Sequence, residues 1–125
     1  MTTQALTAAS FEQTVLDNEI VFVDFWAAWG GPCRTVGPIF ENASTNHPDI
    51  IFGKVDTEAE QSLAGGAGIT SIPTLMAFRG GILVFSQPGA LPASALEQVI
   101  AGVRGLDMDD IRAQVATSQT ANAAT

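Results

Sequence analysis

Ile20-Val21-Phe22-Val23-Asp24-Phe25-Trp26-Ala27-Ala28-Trp29-Gly30-Gly31-Pro32-Cys33-Arg34 is the stretch from which the rest of the chain can be read. Its first seven residues are β-branched or aromatic except for Asp24, so they read as a buried strand, stopped by small residues and two glycines. Pro32 suits the first turn of a helix: its ring presets φ, and the N–H it lacks would have no helical partner there. The chain therefore turns from strand to helix at Gly30-Gly31-Pro32, and Cys33 falls in that helix's first turn. Asp24 stands out, because a carboxylate in an apolar strand is costly unless it has a task or sits at a solvated strand end.

Working outward, Ala5-Leu6-Thr7 reads as a short edge strand and residues 11–18 as a helix, with Ser10 as N-cap and Gln13 completing a capping box. After the central strand, Val36, Ile39, Phe40 and Ala43 form a helical stripe from Pro32 to about Asn46, with Pro38 expected to kink it. Residues 50–56 read as a strand and Thr57 to about Ala64 as a helix capped by Thr57 or Asp56. Gly65-Gly66-Ala67-Gly68 lacks the lysine of a phosphate-binding loop and reads as plain loop. Two apolar runs, 75–78 and 82–85, flank Arg79-Gly80-Gly81 as a β-hairpin. A helix from Pro92 presents Leu96, Val99, Ile100 and Val103, and Gly105 stops it. A short helix from Leu106 to about Val115 and a frayed tail over 116–125 complete the chain. This order predicts an α/β domain over residues 1–105, with a mixed central sheet and helices on both faces.

The totals narrow the function. The chain has 125 residues, 46% of them hydrophobic, enough for one core. No stretch reads as a membrane span or a leader, so a cytoplasmic protein is expected; a monomer is expected as well. Five basic against thirteen acidic residues give a formal charge of −8, which repels nucleic acid and anionic lipid. The single cysteine excludes an intramolecular disulfide. His47, the one histidine, has no acidic or cysteine partner beside it in sequence, so no metal site is expected, and no cofactor either.

Val23-Asp24-Phe25-Trp26-Ala27, Trp29-Gly30-Gly31-Pro32-Cys33-Arg34, Lys54-Val55-Asp56, Ile72-Pro73-Thr74 and Gly89-Ala90-Leu91 together resemble the thioredoxin family as bacteria carry it. The resemblance spans residues 5 to about 105 and implies the thioredoxin fold. It also implies dithiol–disulfide exchange in cell redox homeostasis, with electrons passing from thioredoxin reductase, a flavin enzyme using NADPH, to protein disulfides. The family has Cys-x-x-Cys at the strand-to-helix turn, and Gly30 stands where its nucleophilic cysteine belongs. Exchange needs one thiolate to attack and a second thiol to resolve the mixed disulfide. On this resemblance Cys33 is the buried resolving thiol, Asp24 its general base with a raised pKa, and Lys54 the lysine placed near that acid. Trp29, Gly31, Pro32, Ile72, Pro73, Gly89 and Ala90 would form a shallow groove that takes a partner peptide by strand addition, with Trp26 packed behind and Pro73 cis. Pro88 departs from the family, which usually has a small branched residue there.

Three functions follow from these residues. The first is a thioredoxin whose nucleophile is absent, with little or no redox activity. The second is a natural redox-inactive module that holds peptides in the same groove, and the third is a monothiol working through Cys33.

Overall fold

The computed structural model describes residues 3–124. Strands β1 (Thr3–Ala5), β2 (Ile20–Trp26), β3 (Ile51–Asp56), β4 (Thr74–Arg79) and β5 (Ile82–Pro88) form one sheet in the order β1-β3-β2-β4-β5. The first three in that order are parallel, whereas β4 and β5 are antiparallel additions, so the sheet is mixed as expected. Helices α1 (Phe11–Asp17), α2 (Gly31–Asn46), α3 (Gln61–Gly66), α4 (Ala93–Arg104) and α5 (Met108–Ala124) account for the rest.

β2 lies at the centre, with β3 on one edge and β4 on the other. Alternation along it sends Ile20 and Phe22 to one face and Val21, Val23 and Phe25 to the other. On the first face they join Phe40 of α2, Phe52 of β3 and Leu96 and Ile100 of α4; Phe52 stacks on Phe22 at 5.7 Å and meets Phe40 edge-on at 5.1 Å. The second face packs against Val15, Val55 and Met76, with Phe11 of α1 edge-on to Phe78. By the same alternation Asp24 belongs to the α2/α4 face. The β4–β5 turn uses Gly80 and Gly81, both with positive φ (58° and 79°), as a two-residue hairpin turn favours.

Four local expectations need correction. Ser10 precedes α1 but forms no side-chain cap; its hydroxyl instead accepts the Thr7 N–H at 3.0 Å, closing a turn before the helix. Helix α3 begins at Gln61 rather than Thr57, because Asp56 Oδ1 accepts the N–H groups of Glu58 and Ala59 and holds residues 57–59 as a separate turn. Gly65 and Gly66 then close α3 instead of lying in loop. Helix α5 runs to Ala124 rather than ending near Val115, and only Thr125 of the expected tail lies outside the described residues. An apolar stripe did not signal that extension. Alanine and glutamine propensity, Asp107 Oδ1 accepting the Asp110 N–H, and the Arg112–Asp109 and Gln114–Asp110 pairs account for it.

Arg79, at the end of β4, ties the sheet to the helical layer. Its Nη1 donates to the carbonyls of Val103, Arg104 and Leu106 at 2.8, 3.0 and 3.0 Å, and its Nε donates to Glu19. Two of those carbonyls belong to the last turn of α4, where a cation also meets the negative end of the helix dipole. Arg79→Ala leaves them without this donor and should cost about 2 kcal/mol in urea unfolding. A loss below roughly half of that would contradict a capping role.

Candidate functional site

The turn after β2 brings Gly30, Cys33 and Ile72 together. Gly30 is the N-cap of α2, with φ −81° and ψ 116°, a conformation open to any residue; its amide donates to Ala27 O at 3.1 Å. No backbone requirement therefore selects glycine there. A Cβ placed on Gly30 would lie 3.0 Å from Cys33 Sγ and 3.2 Å from Ile72 Cδ1. In a disulfide the sulfurs are about 2.04 Å apart, which leaves each Cβ about 3 Å from its partner's sulfur. Position 30 thus has the separation from Cys33 that a bridging cysteine needs. Cys33 itself is 7% exposed, and a cavity of about 230 Å³ reaches it past Trp26, Arg34 and Lys54.

Asp24 is buried, at 2% exposure, and its Oδ2 has no hydrogen-bond partner. It is not a solvated strand-end acid. Burial pushes its carboxyl up from 3.8 to about 6, opposed by the Lys54 ammonium. Lys54 stands opposite Asp24 in the β2–β3 register, yet its Nζ lies over the Trp26 ring, 5.1 Å from the centroid. Asp24 lines a closed pocket of about 20 Å³ with Pro73, Leu75, Gly89 and Leu96.

The Ile72–Pro73 bond is cis. Pro73 is buried, and its carbonyl accepts the Gly89 N–H at 2.8 Å, joining the two loops. Gly89 has φ +97°, where a side chain would be strained. Trp29, 68% exposed, and Ile72 share an open groove of about 550 Å³ whose other wall is Gln61, Ala64, Ile69 and Ser71. That wall was not singled out from the sequence; the small residues Ala64 and Gly65 were its one local sign. Gly31, Pro32 and Ala90 are exposed around these loops, and Pro88 ends β5 opposite Thr74.

The family description that matches this chain is thioredoxin, over residues 2–102. The chain belongs to the thioredoxin family. A Streptomyces coelicolor protein provisionally named thioredoxin 2 is 56% identical over 117 residues, covering 94% of this chain and 87% of that one. The thioredoxin of Porphyra purpurea is 41% identical over 102 residues, 80% of this chain and 95% of its own. Among solved structures, Plasmodium falciparum thioredoxin superposes with a TM-score of 0.75 at 35% identity, covering 80% of this chain and 98% of that one. The sheet and helices described above are therefore the thioredoxin fold. Helix α5 lies beyond the residues that the family description matches. Among the described residues no helix is long and apolar enough to cross a membrane.

The burial of Asp24 makes a stability prediction. The folded pKa of Asp24 lies above its ordinary value, so the contribution of the protonated form is complete below pH 4 and is lost as pH rises through about 6. The stability of Asp24→Asn relative to the unaltered chain should therefore climb by roughly 2 kcal/mol between pH 4 and pH 7, on top of any constant offset from the buried amide. Urea unfolding of both proteins across that range measures it. A flat difference would show that Asp24 is not an uncompensated buried acid.

Proposed function

We propose that this chain is a thioredoxin scaffold for dithiol–disulfide exchange with protein disulfides, fed by thioredoxin reductase, in which only the attacking sulfur is absent. The observation that carries the reading is the 3.0 Å separation between a Cβ at Gly30 and Cys33 Sγ. A two-electron reduction of a disulfide requires two thiols on one carrier: the first sulfur attacks and forms a mixed disulfide, and the second displaces the released thiol. With Cys33 alone neither the internal bridge nor turnover is available.

The remaining parts suit the exchange. A helix N-terminus favours a thiolate at position 30, where unpaired N–H groups and the dipole act on it. Asp24, on the same sheet face as α2, is the candidate base for the Cys33 proton, and Lys54 the cation that tunes it. Among the described residues no hydrogen bond engages either backbone group of Ile72, which leaves both for an extended peptide. Trp29, Gly31, Pro32, Pro73, Gly89 and Ala90 are the proposed walls of that peptide site. The chain as it stands would bind a partner without reducing it.

Insulin disulfide reduction tests this, first with dithiothreitol and then with thioredoxin reductase and NADPH. The unaltered chain should show no turnover above background, and Gly30→Cys should show it with both electron sources. Inactivity of a folded Gly30→Cys would assign the groove to peptide binding without chemistry. Turnover by the unaltered chain would establish a monothiol route through Cys33.

A further inference from the structure

We propose that His47 is a proton-operated joint between the end of α2 and helix α4. His47 is the C-cap of α2, with its side chain 18% exposed. Its Nε2 lies 2.8 Å from Glu97 Oε1, and its Nδ1 lies 3.0 Å from Arg104 Nη2. Both partners belong to α4. Arg104 in turn grips Asp49 through two nitrogens, at 2.7 and 2.9 Å.

The arrangement decides the tautomer. A guanidinium has donors only, so the Nδ1 facing Arg104 must be a bare acceptor. The ring hydrogen of neutral His47 is then on Nε2 and is donated to Glu97. Taking up a proton from solvent places a hydrogen on Nδ1, against an N–H of a cation. The His47–Arg104 hydrogen bond breaks, while the Glu97 contact gains charge and Arg104 keeps Asp49.

The groups that face the ring are Glu97 and Arg104 from α4 and Asp49 from the loop before β3. Arg79, arriving from β4, ends on main-chain carbonyls of the same turn. Within α2 the adjacent Asn46 is uncharged, as is Pro48 after it. Glu97 engages one ring nitrogen and Arg104 the other, so the two sides can be separated by substitution. The near ends of the same two helices frame the site: α2 starts at Gly31, and α4 follows the Gly89–Leu91 loop.

The test is a pH titration of the full chain by NMR, reading the ring nitrogens of His47 and the guanidinium of Arg104. At neutral pH the hydrogen is expected on Nε2, and the Arg104 signals should move with the His47 midpoint. Arg104→Gln should release the hydrogen from Nε2 into a mixture of tautomers, and Glu97→Gln should leave it on Nε2. Both are surface changes at partly exposed side chains, and the tautomer is read on the unaltered chain. A hydrogen on Nδ1 at neutral pH, or Arg104 signals that stay still while the ring takes up its proton, would overturn the proposal.

Discussion

The position of β2 constrains everything else. It has a strand on each edge and a packed layer on each face, so Val21 to Phe25 are enclosed on all sides and neither the register nor the end of the strand can slide without turning core residues to the wrong face. The chain leaves this strand at Trp26 and enters α2 at Gly31, and a fixed strand end fixes the helix start. Gly30, Cys33 and the Ile72 side chain meet because β4 is hydrogen-bonded to β2 just beyond Pro73.

The same enclosure sets the cost of the site. Asp24 occupies a strand position that apolar packing would fill better, and its Oδ2 is unpaired. On the proposed reading this acid would serve the Cys33 proton in a dithiol carrier; as the chain stands, burial makes its charged form destabilising. The proposed exchange scaffold rests on Asp24 and Cys33 lying buried next to the position where one sulfur is missing. A surface selected only for peptide capture would need neither the acid nor the buried thiol.

Local chemistry made much of this legible. β-Branched density marked β2, Pro32 marked the start of α2, and the glycine pair marked the hairpin. Pro73 as a cis residue came from likeness to the family rather than from the residues alone. What was missed depended on tertiary partners or on weak local preferences. The turn at residues 57–59 beat the helix there because one Asp56 oxygen serves two amides. The far half of α5 has no apolar stripe to announce it. His47 looked unpartnered in sequence because Glu97 and Arg104 come from α4, which reaches it only through the packing of two helices on one sheet face.

The central claim is that position 30 lacks a sulfur and nothing else. The most direct measurement is the thiol content of Gly30→Cys equilibrated in glutathione redox buffers, with the bridging mode read by mass. The account predicts a single internal disulfide that consumes both thiols, releases glutathione, and leaves the fold unchanged. Glutathione adducts without an internal bridge, in a folded protein, would contradict it.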